Sequence, residues 1–361
     1  MSTITKKLLS IAVALFFVSL FTYYIEHRRG YDLVAGAEFI SGLDISKIER
    51  IVIKSKAGQG ELDFVKEGPT FVLAGHNSFP ADTGKINEFL YKVASIQIAE
   101  KVSSSDKSYN AYGVAEGIAD ATVALYGKEN SKLVEFYLGS RNNNGGSHIR
   151  NVTSSDTYLT MEGLSIETEK DFFIDKTILN LKTEDIVTIS AAGEFGSFVV
   201  KKDLAPASDG SASTSVSKFV LATAPAEKVD QSKIDEFVRA FNNISFTEFI
   251  AADDAKLKSV KFESRYEVKM ADAMAYLVEI GVGGSTDKDK KYYCRISSNI
   301  NELPAQVQLN KDADKAELEK VNQMLLARDK ANIFNNRNGR WVYEIVEYKF
   351  KSLNKGRDSF K

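Results

Sequence analysis

Apolar and polar positions follow two periods along this chain. Runs such as "IERIVIKS", "GELDFVKEG", "TFVLA", "ATVALYG", "KLVEFYLGS" and "SHIRNV" alternate with period two and are separated by Gly-rich or Asn-rich breaks, the pattern of short strands with one buried face. A second set, "EDIVTIS", "GSFVVKKD", "KFVLA", "YEVKM", "YLVEIGVGG" and "YYCRIS", does the same further on. Between them lie two stretches of helical period. Ile86, Phe89, Leu90 and Val93 fall at i, i+3, i+4 and i+7, and Ile234, Phe237, Val238 and Phe241 repeat the stripe. Each stripe is about three turns long, too short for a stable isolated helix, so each is expected to lie on a sheet.

The two helical stretches are related by more than period. At a constant shift of 148, positions 71–98 and 219–246 share ten identities in 28. The identities include the "FVLA" strands, Asp82 with Asp230, Lys85 and Ile86 with Lys233 and Ile234, and Glu88 and Phe89 with Glu236 and Phe237. Asp82 and Asp230 stand where an N-cap carboxylate would accept from the first turn. "LVEFYLGS" against "LVEIGVGG" extends the likeness. Upstream of the helix the best shift is 136, and the twelve extra residues fall in a Ser/Ala/Gly-rich stretch without apolar period, expected to be a flexible loop near 204–217. After the second set, "DKAELEKVNQMLLARDKAN" is expected to be helical and "GRWVYEIVEYKFKS" to close the chain as a strand.

The N-terminal pattern differs from both. From Leu8 to Ile25 there are eighteen residues without a charge, about 27 Å as a helix at roughly 1.5 Å per residue. A cleaved signal peptide would need a shorter apolar run ending in small residues, whereas this one ends in Tyr23, Tyr24 and Ile25 followed by charges. The expectation is an uncleaved transmembrane anchor over 7–25. The fold class expected is therefore α+β: an N-terminal transmembrane helix, then two tandem, related repeats of mainly antiparallel sheet with one amphipathic helix packed on each, over 43–180 and 181–352. A start anchor with a short leading tail places the bulk of the chain outside the cytoplasm, although Lys6 and Lys7 against Arg28 and Arg29 give the positive-inside rule little bias.

Composition removes several function classes. The chain has 361 residues, enough for two cores, with 47 basic and 49 acidic side chains spread along it. No basic footprint for nucleic acid exists. The one cysteine, Cys294, lies in a strand-like run and reads as a small buried residue. Three histidines, His27, His76 and His148, share no metal-ligand spacing. "RNNNGGSH" and "GVGGSTDKDKK" lack the spacing of phosphate loops and read as hairpin turns. Asp253, Asp254 and the "KDADKAELE" run lack the alternation of a calcium loop. Glu88 with Glu236 and Glu135 with Glu279 recur between the repeats, but all four fall off the apolar faces, so solvated positions are expected rather than a catalytic pair. No catalytic, cofactor-binding or metal-ligating residue is assigned, and the chain is expected not to be an enzyme.

The strand order, the block "FPADTGKINEFLYKVASIQIAEKV", the turn Tyr112-Gly113-Val114, the strand "FYLGS" and the following "HIR" resemble a bacterial domain-of-unknown-function family encoded beside gliding-type ABC transporter genes. The resemblance covers roughly Leu43 to Ser190 well and the second repeat less well. A tryptophan-like position of that family is Phe71 here, and the Tyr-Gly-Val turn has no counterpart in the second repeat. The resemblance implies no catalytic residues. It implies a membrane-tethered accessory or scaffold protein of an ABC-type transport or envelope assembly at the cytoplasmic (inner) membrane, with the membrane and ABC transporter subunits as partners. An envelope polymer-binding module is the alternative expectation.

Overall fold

The computed structural model describes residues 15–20, 35–56, 60–142, 145–204, 217–224, 228–284, 286, 289–300 and 315–361. The chain divides into two compact units, Met1–Asp175 and Lys176–Lys361. The expected loop near 204–217 falls, apart from its two end residues, outside the described ones.

The first unit begins with the hairpin-connected strands β1 (Arg50–Ser55), β2 (Glu61–Glu67), β3 (Thr70–Leu73) and β4 (Phe79–Pro80), then helix α1 (Thr83–Ala94). β5 (Ile98–Ser103) follows, then the one-turn helix α2 (Tyr109–Tyr112) and strands β6 (Ala121–Tyr126), β7 (Lys132–Arg141), β8 (Ser147–Asn151) and β9 (Thr157–Thr160). They form one sheet in the order β4-β3-β2-β1-β6-β7-β8-β9-β5. All its pairings are antiparallel. Register places Leu62, Ile53, Val123 and Phe136 in one row and Phe64, Ile51, Leu125 and Val134 in the next. All eight are buried, and the α1 stripe Ile86, Phe89, Leu90 and Val93 is buried with them.

The second unit is built alike. Its strands are β10 (Thr177–Leu179), β11 (Ile186–Gly193), β12 (Gly196–Leu204) and β13 (Ser217–Leu221), followed by helix α3 (Gln231–Arg239), β14 (Ile244–Ser245) and β15 (Glu248–Ala251). Long strands β16 (Lys261–Met270), β17 (Met274–Gly283) and β18 (Lys291–Ile300) come next, then α4 (Lys315–Asn338), β19 (Trp341–Ile345) and α5 (Glu347–Leu353). The main sheet reads β13-β12-β11-β16-β17-β18-β19-β15. With β4 set aside, this is the order of the first sheet strand for strand.

The helix seats also match. Asp82 accepts from the N–H groups of Gly84 at 2.8 Å and Lys85 at 3.1 Å, and Asp230 accepts from the N–H of Ser232 at 2.9 Å. Each capping aspartate donates its own N–H, over 2.7 Å, to the carbonyl of a phenylalanine on a 3-10 turn: Phe173 of Lys170–Phe173 in one unit, Phe360 of Arg357–Phe360 in the other. Phe173 lies edge-on to Phe64 and Phe89, and Phe360 to Phe198 and Phe237. Burying each such ring contributes roughly 1.5–3 kcal/mol.

The second unit has additions. Helix α4 packs Ala327 and Ala331 against Met274, while the Asn335 amide bonds both the N–H and the carbonyl of Ser298 at 2.7 Å. Lys349 on α5 is buried and donates to the carbonyls of Ala240 and Asn242, both at 3.2 Å. Those groups end α3, where a cation suits the unsatisfied carbonyls and the helix dipole. Burial pulls the Lys349 pKa down.

Two expectations are corrected. The described residues are mostly antiparallel sheet with few helices, and none of those helices is long and apolar enough to cross a membrane. Within 7–25 the described residues are 15–20, and they are helical. The remainder of that expectation lies outside the described residues. The physical reason is that the run is uncharged without being continuously apolar: Ser10, Ser19 and Thr22 interrupt it. At the other end, the closing strand stops at Ile345 and α5 begins at Glu347. The alternation of Val346, Tyr348 and Phe350 reads as strand, but Phe350 and Leu353, three apart, are what the core receives.

Candidate functional site

Each sheet has a second, outer face away from its α1 or α3 helix, crossed by the connector that leads into the strand at the middle of the sheet. In the first unit that connector runs from residue 104 to 120, long enough to fold back as α2 and a Tyr112-Gly113-Val114 turn. Gly113 has φ +67°, a left-handed conformation that glycine adopts without a Cβ penalty. A Cβ on Gly139 of β7 would overlap the carbonyl oxygen of Tyr112, so the turn lies directly on the strand backbone.

Arg150 holds this turn. It is 7% exposed on β8. Its Nε donates to the carbonyl of Val114 at 3.0 Å and its Nη1 to that of Ser154 at 3.1 Å. The guanidinium stacks 3.9 Å from the centre of the Tyr109 ring and 5.0 Å from that of Tyr137. Carbonyl acceptors and aromatic faces thus compensate its desolvation without a carboxylate. His148 stacks on Tyr112 at 4.6 Å, with Nδ1 3.0 Å from the Ser140 carbonyl. Burial pushes the Tyr137 phenol above its ordinary value, aided by the charges of Glu116 and Glu135. Val114, Ala119 and Tyr137 close a small core under the turn.

In the second unit the equivalent connector runs only from 252 to 260, as the 3-10 turn Ala255–Ser259 capped by Asp254, which accepts from Lys256 N–H at 2.8 Å. Gly281 pairs with Tyr293 across β17 and β18 as Tyr137 pairs with Arg150 across β7 and β8, and a Cβ on Gly281 would overlap the Lys261 carbonyl of β16, so strand backbone fills that position. A half-open cleft of about 530 Å³ remains. Glu279 and Arg295 line it, with Phe262, Ser297 and Val342 beside them and Asp253, Leu257 and Lys258 from the connector. Arg295 holds Glu279 bidentately, Nε to Oε2 at 2.8 Å and Nη2 to Oε1 at 3.2 Å, and lies 4.3 Å from the Phe262 ring centre. The Arg295 side chain is 48% exposed and that of Glu279 22%.

The positions singled out from sequence fall as follows. Glu88 pairs with Lys85 at 3.1 Å on the exposed side of α1. Glu135 and Glu279, expected to be solvated, are half-buried and ion-paired, to Lys132 and Arg295 respectively. His76 ends the short turn Ala74–His76, His148 is buried under Tyr112, and His27 lies outside the described residues. Burial pushes the Cys294 thiol up to about 12, so no nucleophilic thiolate forms there near neutral pH. Among the described residues no group of His, Cys, Asp and Glu could hold a metal ion. Sequence reading passed over Arg150, Phe173, Phe360 and Arg295. For Arg150 the signal was present, an arginine inside the apolar strand "SHIRNV".

Residues 72–218 match the model of a family described as a domain of unknown function, DUF4340. The match runs from β3 of the first unit to β13 of the second, and at that level the resemblance to an uncharacterised domain family holds. No curated protein and no solved structure matches the chain.

Proposed function

We propose that this chain is an accessory or scaffold protein built from two copies of one uncharacterised domain, acting by binding rather than by catalysis at the cytoplasmic membrane, in an ABC-type transport or envelope assembly. The observation that carries the reading is the contrast between the outer faces. Two units with one strand order differ where one is sealed by its own turn and the other holds a cleft lined by an ion pair and apolar side chains. A cleft with both donors and acceptors, set on a rigid sheet, suits recognition. The uncharged stretch from Leu8 to Ile25 supports association with a membrane, and the family resemblance supports a transporter or envelope partner, with the two units outside the cytoplasm.

Chemical crosslinking of intact cells, followed by purification of the full chain in detergent, tests this. Recovery with membrane-protein subunits at fixed stoichiometry is the expected result. Recovery of the chain alone, together with retention of an envelope glycan by its folded part, would replace the scaffold reading with a polymer-binding one.

A further inference from the structure

We infer that the outer-face cleft of the second unit is a docking groove for a turn-forming peptide segment of a partner protein, carrying an aromatic or bulky apolar side chain. The inference rests on the accessory reading above and gives it a surface. The first unit supplies the pattern. There the same face of the same sheet is filled by a segment of polypeptide, residues 109–114, which lays tyrosine rings and Val114 on the strands while an arginine of the adjacent strand donates to its carbonyls. In the second unit the connector is short, and a cleft of about 530 Å³ stays open between it and Glu279, Arg295 and Ser297.

The lining fits a peptide better than a charged small molecule. Arg295 engages Glu279 through Nε and Nη2, which leaves Nη1 to donate to a carbonyl, as Arg150 does for Val114 and Ser154. Asp253 and Lys258 on the connector provide an acceptor and a donor of opposite charge. With Glu279 and Arg295 neutralising each other, no single-sign field is available for a phosphate or polyanion, while peptide N–H and carbonyl groups find both partners. Phe262, Leu257 and Val342 offer apolar surface for one side chain.

The test uses the full chain in its own cells, with photoreactive benzoylphenylalanine placed at position 257 on the cleft rim and, separately, at position 91 on the exposed side of α1, where Tyr91 is 67% exposed. Irradiation and peptide mapping should find the position-257 probe joined to a segment of another protein bearing an aromatic or large apolar residue. Yield should fall at least tenfold with Arg295→Ala, which removes the donor, and with Ser297→Trp, which fills the cleft. Arg295 and Ser297 are both solvent-accessible, and circular dichroism verifies the fold of each variant. Adducts to a glycan or lipid at position 257, or protein adducts that neither variant reduces, overturn the inference. Protein adducts at position 91 but none at 257 overturn it while leaving the accessory reading in place; no protein adduct at either position overturns both.

Discussion

Phe89 and Phe237 occupy seats that differ by little more than a swap of neighbours. In one unit the sheet offers Leu62 and Phe64 beneath the helix, in the other Phe198 and Val200, so the aromatic ring moves by one inward position while the phenylalanine of the 3-10 turn, Phe173 or Phe360, closes over it. The opposite faces of the same two sheets share almost nothing: a buried arginine under a tyrosine turn in one, an exposed arginine at the bottom of a cleft in the other. Core packing admits only substitutions that keep volume and shape, so an inner face is confined to small exchanges. A connector crossing an outer face can lengthen or shorten without disturbing the strand order, and that is where the two units part.

The largest effects should come from the shared seat. Phe89→Ala and Phe237→Ala each remove a buried ring, at a cost of about 3–5 kcal/mol, and Phe237→Ala should sit at the upper end because Phe237 also meets Phe241 and Tyr266. Hydrogen exchange resolved by unit measures both. A loss under about 1 kcal/mol for either would break the equivalence of the two helices.

The arginines sharpen the contrast. Arg150→Met leaves carbonyls unsatisfied and forfeits two aromatic faces, for a loss of about 2–3 kcal/mol, with faster amide exchange at Gly113 and Val114. Arg295→Ala removes a solvent-accessible pair worth under about 1 kcal/mol and should leave stability nearly unchanged. Equal losses would mean that Arg295, like Arg150, serves the fold.

Alkaline pH should separate the units next. The position opposite Phe136 on the first sheet is Asn151, while that opposite Ile280 on the second is Cys294. In the unfolded chain the thiol ionises near 9.0, whereas burial in the fold holds it protonated to about 12. Between those values the unfolded chain binds fewer protons than the folded one, so stability falls as pH rises, by about 1.4 kcal/mol per pH unit. Burial also raises the phenols of Tyr343, Tyr276 and Tyr293 in this unit and of Tyr137 in the other, and with Tyr266, raised from 10.0 to about 12, they steepen the fall as pH approaches and passes 10. Denaturant titrations at pH 8 and 9 should therefore show a decline that Cys294→Ala largely removes, while the steeper fall above pH 10 remains in the variant.

How much of this was written in the residue order depends on range. Helix stripes were legible because period 3.6 is local: the buried residues of α1 are the four that the spacing picks out, and Ile234, Phe237 and Val238 are those of α3. The strands were legible for the same reason. The turn phenylalanines were not, because four-residue segments such as Lys170–Phe173 carry no period and meet their partners only through the sheet. The return of β5 and β15 to the edge beside β9 and β19 is a long-range pairing that no local pattern specifies. The cleft follows from an absence in the sequence, the Tyr-Gly-Val turn that the second unit lacks. That gap was visible, but the ion pair exposed by it was not, since Glu279 and Arg295 meet only through strand register.

The smallest expected effect tests the oldest likeness, the two capping aspartates. Asp82 satisfies two backbone donors, those of Gly84 and Lys85, while Asp230 satisfies one, that of Ser232, and spends its other interaction on the Ser232 hydroxyl at 2.7 Å. Asp82→Ala should cost about 1 kcal/mol, and Asp230→Ala less, since only one orphan N–H is released. The Ser232 hydroxyl and N–H hold the Asp230 carboxyl below its ordinary 3.8. A depressed folded value means that the contribution is complete above pH 3.8 and lost as pH falls through the lower folded value. On acidification the difference between the Asp230→Ala variant and the parent should thus persist to below pH 3.8 before closing. If it closes at higher pH, or if Asp230→Ala proves the more costly of the two, the caps are alike in position only, and the helices they begin are held by different means.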